Sequence, residues 1–440
     1  MKVNVKKDVF THEGGKSVET NAYERLKRTV LACMLFEDNF YEDGVKAVDR
    51  IKELCSQVTC FQVLELAMMA AEKYNLRHVP LQLIVEALKH KPKPSPTHLI
   101  NFDTLIYDIC KRPDQMTDLL ALYWKDGRKP IPHQLKKGLA KAFQRFDRYQ
   151  LAKYNRPNPI KLRDILFLTH AKPKDEQQAK DWKDLVDGTL ESPDTWEVRL
   201  SAGNDKKESF EALLKAGKMG KLAILRNMRN MKETGIDKEL VQYELNRNMR
   251  EMLPFQYIAA ARECPQWEDI IDNPMVASCA LKPKLLGKTF VFVDVSGSMS
   301  ATISNKSKMM RMDAACAMAI LLRETCEKGE MYSFSHNLVA IPPRQGMALR
   351  DAIVNSQQHG GTMLGAALSA FQAANVPYDR IIVITDEQSH DSIPNVKGKK
   401  NYILNIAGYE NGIGNKNQWT TITGFSEASI DFIRELENSM

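Results

Sequence analysis

The chain has 440 residues, 43% hydrophobic and 27% charged, a globular composition at a length that exceeds one ordinary core, so two or three domains are expected. No apolar run approaches membrane-spanning length, and the basic start "MKVNVKKDVF" lacks the apolar stretch of a secretory signal, which argues against a membrane partner and for a cytoplasmic location. The net charge of +7 is concentrated: between Lys125 and Arg163 twelve cations stand against two acids, Asp126 and Asp147, a local excess of +10.

From about Asn21 to about Leu281 the pattern is helix after helix. "NAYERLKRTVLACMLF", "DGVKAVDRIKELC", "FQVLELAMMAAEKY", "VPLQLIVEALKH" and "MTDLLALYWKD" carry apolar residues at three- and four-residue spacing between short Pro, Asn or Gly breaks. Helical hairpins recurring at ~40 residues would resemble HEAT-type repeats. Eight cysteines (Cys33, Cys55, Cys60, Cys110, Cys264, Cys279, Cys316, Cys326) are scattered with no C-x-x-C pair, as expected for buried reduced thiols rather than a zinc or redox pair.

Within the basic window, a helical wheel over "HQLKKGLAKAFQRFDRYQLAKY" puts Lys137, Lys141, Arg145 and Arg148 in one arc and Leu135, Leu139, Ala142, Phe143 and Phe146 opposite. A solvated helix face is the ordinary fate of such a run. Yet solvated faces interleave acids at i,i+4, and here only Asp147 is near, so an unpaired cationic stripe and a polyanion ligand are expected. Tyr123, Trp124, Tyr149 and Tyr154 beside it either stack on unpaired bases or serve the core. A second stretch, "KAGKMGKLAILRNMRNMK", presents Lys215, Lys218, Lys221, Arg226, Arg229 and Lys232 with no acid between Glu211 and Glu233. Asn227 and Asn230 add amides for sugar or base edges, whereas Leu222, Ile224 and Leu225 are expected in the core.

After about Lys282 strand-like runs, "TFVFVDV", "MYSFS", "RIIVITD" and "NYILNIAG", alternate with helices such as "MMRMDAACAMAILLRETCEK", which predicts a parallel, doubly wound sheet. The expected division is a helical domain over 1–284 and an α/β domain over 285–440, joined at "LKPKLLGK". In such sheets ligands sit beyond the carboxyl ends of the strands, and "DVSGSMS" lies at one. Asp294, Ser296 and Ser298 are two apart, with Gly297 allowing a tight bend. One carboxylate and two hydroxyls suit one hard ion, Mg²⁺ or Mn²⁺, rather than zinc. Thr362 in "HGGTML" could join directly and Asp386 in "VITDEQS" through water, leaving one position open. Alone, D-x-S-x-S reads equally as a helix-capping turn. The full set resembles the metal-ion-dependent adhesion site of von Willebrand factor A domains, which implies ligation of an acidic partner rather than catalysis.

With both halves read, the chain resembles the Ro autoantigen family, in which a TROVE module precedes a von Willebrand A domain. The likeness is carried by "THEGGKSVETNAYERL", "LAKYNRPNPIKLRDILFLTHAKP", "LAILRNMRNM", "GKTFVFVDVSGSMS" and "WTTITGFSEASIDFI". It implies a monomeric ring of HEAT-like helical repeats with an A domain, which binds noncoding Y-type RNA on an outer basic surface. Misfolded or single-stranded RNA 3′ ends would enter a central hole, in RNA processing or quality control, with an exoribonuclease or another protein bearing an acidic ligand residue as partner. Carried over by position, the outer contacts are Lys153, Arg156 and His170, the last of which reads otherwise as a helix-end imidazole satisfied by a carbonyl. With Lys137, Lys141, Arg145, Arg148, Lys221, Arg226 and Arg229 these form the expected RNA-binding set. The segment "IPNVKGKK" is shorter than the family's usual helix there, and Pro157 interrupts the basic segment.

RNA binding is the preferred function. The rival is a metal-dependent assembly scaffold whose ion captures an acidic partner. A Mg²⁺-dependent nuclease or phosphatase is disfavoured, because two-metal phosphoryl chemistry needs more carboxylates than Asp294 and Asp386.

Overall fold

A computed structural model describes residues 9–10, 16–17, 21–32, 44–90, 101–191, 196–201, 205–247, 252–303, 308–398, 400–407, 412–414, 418–424 and 428–438. Cys33 and parts of the terminal motifs "THEGGKSVET" and "GFSEAS" lie outside the described residues. Contacts divide the chain into two compact units, 49–204 and 1–48 with 205–440.

Ahead of the first unit come β1 (Val9–Phe10) and β2 (Lys16–Ser17), paired antiparallel, and α1 (Ala22–Ala32); α2 (Gly44–Gln57) runs across the division. The first unit continues with α3 (Cys60–Glu72), α4 (Val79–Ala87), α5 (Phe102–Ile109), α6 (Pro113–Tyr123), α7 (His133–Phe143), α8 (Arg148–Tyr154), α9 (Leu162–Thr169), α10 (Glu176–Asp187) and α11 (Trp196–Ser201). Each apolar stripe finds a neighbour, and helices pack on the next but one as well as the next: α3 on α5, α4 on α6, α5 on α7, α7 on α9. Stacked helical hairpins produce that pattern. Caps set the boundaries. Thr59 and Gln62 form a reciprocal capping box at α3, and Asn101 accepts from the Asp103 amide at α5. Helix α4 is buried on every side, as its nearly all-apolar sequence requires. At Gly138 the backbone of α7 passes so close to α5 that an added Cβ would lie 2.6 Å from Ile106 Cδ1.

The second unit contains α12 (Lys206–Lys215), α13 (Lys221–Glu233), α14 (Lys238–Arg247), α15 (Pro254–Glu263) and α16 (Asp269–Ala280), again packed next but one. The change from helices to strands falls between Ala280 and Leu285. Strands β3 (Leu285–Asp294), β4 (Cys326–Phe334), β5 (Leu338–Ala340), β6 (Arg380–Thr385), β7 (Asn401–Asn405) and β8 (Thr420–Thr423) form one sheet in the order β5-β4-β3-β6-β7-β8. All neighbouring pairs are parallel except β4–β5. Helices α17 (Arg311–Thr325), α18 (Gly346–Val354), α19 (Leu364–Ala373) and α20 (Ala428–Asn438) complete it. On one face Phe290, Phe292, Ile381 and Val383 pack with Leu364, Leu368 and Phe371 of α19. Alternation sends Val291, Val293, Ile382 and Ile384 to the other face, where α17 contacts β3 and β6. Because α15 and α16 cover the far side of α17, that helix is apolar nearly all round. The run from Asp386 to β7 forms no helix among its described residues, in keeping with its short sequence.

One expected element changes. The stretch 133–154 is two helices, because Asp147 accepts from the Gln150 amide while the Gln150 side chain accepts from the Asp147 amide, starting α8 afresh. The wheel therefore holds through Phe143 and breaks before Arg145. Leu135, Leu139, Ala142, Phe143 and Phe146 are nonetheless all buried.

Candidate metal centre and basic surface

The strand order reverses between β3 and β6, so their carboxyl ends diverge into a crevice, the place where open α/β sheets bind ligands. Asp294 ends β3 and Asp386 follows β6, and register pairs Val293 with Ile384. Both carboxylates are fully buried. Asp294 Oδ1 accepts from the Ser296 amide at 2.9 Å and Oδ2 from the Thr385 hydroxyl at 2.6 Å. Burial, then the charge of Asp386, push the Asp294 carboxyl up to about 7. The Arg311 guanidinium, itself buried at the start of α17, reaches Asp386 Oδ2 at 2.9 Å, while the Gln388 amide donates to Oδ1.

One arginine thus faces two buried carboxylates, leaving a deficit of positive charge beside Asp294. The Ser296 and Ser298 hydroxyl oxygens are 3.2 Å apart. Adjacent oxygens of an octahedron with metal–oxygen distances of ~2.1 Å are about 3.0 Å apart, so the spacing suits Mg²⁺. Thr362 is buried. Its backbone is clamped on both sides: its amide donates to His390 Nδ1 at 3.0 Å, and its carbonyl accepts from the His390 amide at 2.9 Å. The preceding Gly361 amide donates to His336 Nε2, Gly360 to Ser335 Oγ, and the Gly360 carbonyl accepts from the Gly297 amide at 2.8 Å. That last bond ties the Ser296–Ser298 turn to the Thr362 loop. Gly360 is required there, since a Cβ would collide with the His336 ring. The structure therefore brings the loops of Asp294, Thr362 and Asp386 to one crevice with a donor set that fits a hard divalent cation. Among the described residues no group of three or more His, Cys, Asp or Glu could hold a metal, and the described cysteines are free thiols.

Several residues of this centre carry no sequence motif. Arg311 is distant in sequence and reads as an ordinary helix cation. Thr385 had a usable signal, a hydroxyl at the end of a buried strand. Glu387 is fully buried with φ of 60°, held by Arg28 of α1 at 2.6 Å, by Asn405 and by the Ile413 amide. Nothing local predicts that pairing across 359 positions.

The basic surface differs from expectation. Lys137 pairs with Asp103 at 3.0 Å, and Arg148 with Asp181 and Asp184 at 3.2 and 2.5 Å. Burial alone would raise the Asp103 carboxyl, but the Lys137 hydrogen bond and the Lys137 and Lys141 charges bring it below its ordinary value. The stripe is therefore partly compensated, by acids from α5 and α10 that no i,i+4 rule could reveal. Among the described residues Lys141 and Arg145 form no ion pair. Both lie over the Tyr107 ring, at 5.6 and 4.6 Å from its centroid, with Lys141 donating to Thr104 Oγ1 and Arg145 to the Tyr107 carbonyl. Similar stacking holds Arg128 on Trp124, Lys129 on Tyr123 and Arg112 on Tyr154. Lys153 is 3.9 Å from Glu197. Arg156 is exposed, and His170 is the exposed left-handed residue ending α9, with φ of 52°. Of the aromatics weighed for stacking, Tyr149 is 51% exposed, whereas Tyr123 is buried with its hydroxyl on the Pro130 carbonyl.

In the second stretch Arg226 is exposed, and Arg229 is exposed but paired with Glu263 and Glu233. Lys221 departs outright from the expected surface position: it is 2% exposed. Asn227 is buried too, its amide donating to the Ala223 carbonyl, so it reads no base edge in this conformation.

Comparison with known proteins agrees with this architecture. Residues 187–260 match the TROVE domain family and residues 288–402 the Ro60 vWA domain family. The crystal structure of the Deinococcus radiodurans Ro (RSR) protein superposes with a TM-score of 0.63 at 16% identity, covering 95% of this chain and 100% of that one. Among curated proteins no sequence matches the chain. With a TROVE match followed in the chain by a Ro60 vWA match, the chain belongs to the Ro family.

Proposed function

We propose that the chain binds noncoding RNA of the Y type through the cationic surface of α7 to α9, and single-stranded RNA 3′ ends elsewhere on its helical part, in RNA processing or quality control. At the coarser level, membership of the Ro family makes it an RNA-binding ribonucleoprotein component, and the family is not one of known enzymes. The observation that carries the finer reading is the pair Lys141 and Arg145. Both are exposed, neither forms an ion pair among the described residues, and both are held by Tyr107 in an orientation that keeps their charge at the surface. Phosphates are the ligands such a surface attracts, and binding releases counterions from the RNA. Arg156 and His170 are exposed as well.

The test is a salt series. Wild-type affinity for a structured RNA should fall steeply with salt, and Lys141→Glu with Arg145→Glu should flatten the log–log slope by about 1.4 to 1.8, from ~0.7–0.9 per phosphate. An unchanged slope would remove the reading.

The A-domain centre supports a second role. We assign Asp294, Ser296, Ser298 and Thr362 as direct ligands of Mg²⁺ or Mn²⁺, with Asp386 acting through water and one position left for the carboxylate of a protein partner. The ion would supply the positive charge that Asp294 lacks. Partner capture that survives both EDTA and Asp294→Ala would rule this out.

A further inference from the structure

Helix α13 begins in an unusual way. Its N-cap is Gly220, which has no side chain to satisfy the first amides of the helix, and the first helical bond runs from the Ile224 amide to the Gly220 carbonyl. The amides of Lys221, Leu222 and Ala223 therefore point out of the helix end with its positive dipole. A Cβ built on Gly220 would meet nothing within 4 Å, so the space in front of that end is open.

The second observation is independent of the helix end. Lys221, the first residue of α13, is 2% exposed, and its ammonium has no hydrogen-bond partner among the described residues. Burying an ammonium without a partner is costly, and proteins rarely tolerate it. Burial holds its pKa below the ordinary lysine value. Side chains on a helix lean toward its N-terminus, which carries the ammonium toward the uncapped amides. The nearby cation Arg247, which lies over Gly217 in the α12–α13 turn, is already matched by Glu244 at 2.9 Å.

We propose that the N-terminus of α13 is a phosphate-binding site whose donors are the Lys221 ammonium and the amides of Lys221, Leu222 and Ala223. A tetrahedral dianion accepts from several amides and the ammonium at once, satisfying both sets of unmatched donors. The enclosure of Lys221 favours a phosphate with unsubstituted oxygens, either free or as a terminal monoester. A phosphodiester within a strand presents a substituent on each side. This site uses neither Lys141 nor Arg145 and does not depend on the RNA reading.

Inorganic phosphate is the first probe, by calorimetric titration at constant ionic strength, followed by competition with uridine monophosphate and with uridine. Saturable binding is expected, weakened at least tenfold by Lys221→Met and by Gly220→Asp. The aspartate variant keeps the fold testable: the Gly220 backbone, φ −71° and ψ 156°, accepts any residue, and its carboxylate would cap the helix where phosphate would sit. Competition by the monophosphate identifies a monoester as the ligand, and its failure to compete identifies free phosphate; either supports the site. Absence of saturable phosphate binding, or unchanged affinity in a folded Gly220→Asp protein, overturns it.

Discussion

Replacing Arg311 by methionine removes the charge that faces Asp386 while roughly keeping side-chain length and apolar volume. The pair is 2.9 Å apart, with side chains 4% and 0% exposed. At an effective dielectric of ~20 the gross attraction is about 6 kcal/mol. Desolvation offsets much of that in the intact pair, but removal of one partner leaves the other charge buried, and such losses run at about 3–5 kcal/mol. We expect that loss in urea denaturation of the A-domain transition with EDTA present. Asp386→Asn in the same chain should recover at least about 2 kcal/mol of it, because neighbouring charges couple non-additively. Excess Mg²⁺ should restore more stability to Arg311→Met than it adds to the wild type, since the ion then serves two carboxylates that lack a counter-charge. A loss below ~1 kcal/mol in EDTA, or strict additivity with Asp386→Asn, would refute the buried pair and the charge deficit inferred from it.

Other expected outcomes are as direct. Arg28→Met strips the buried Glu387 of its ion pair and should cost about 3–5 kcal/mol in the same denaturation assay, with an isosteric Glu387→Gln in that background recovering part of the loss. Asp103→Asn releases Lys137 to solvent and should steepen the salt dependence of RNA binding by about one phosphate's slope, read by gel shift. For Glu437, burial raises the carboxyl, but the hydrogen bond and charge of Arg380, with Lys400, outweigh it and hold the pKa below 4.5. A depressed acid stabilises the fold above its unfolded pKa and loses that contribution as pH falls through its folded value. Acid unfolding of Glu437→Gln should therefore be less steep below pH 4.5, and an unchanged profile would count against the Arg380–Glu437 contact.

The α/β half was legible in one dimension because its signals are local. "TFVFVDV" and "RIIVITD" alternate and end in acids, and they are β3 and β6 with Asp294 and Asp386 at their carboxyl ends. The helical half was legible as helices, since apolar spacing and caps such as Thr59 act within a few residues. The wheel over 133–154 misled because Asp147 was counted as a charge when its side chain is a helix start. Lys221 was placed at the surface from composition alone, yet its position at the first turn of α13 buries it.

By itself the sequence determined most of the segments that form helices and strands, and which oxygens end the central strands of the sheet. Backbone propensity, side-chain periodicity and strand-end motifs are properties of short stretches, so they survive in a linear reading. Only the tertiary structure decided which charges remain unmatched. Asp103 and Asp181 come to Lys137 and Arg148 from other helices, Arg311 comes to Asp386 across 75 positions, and Lys221 is left with no hydrogen-bond partner among the described residues. Electrostatic pairing depends on distance in space and on burial, and neither is written along the chain.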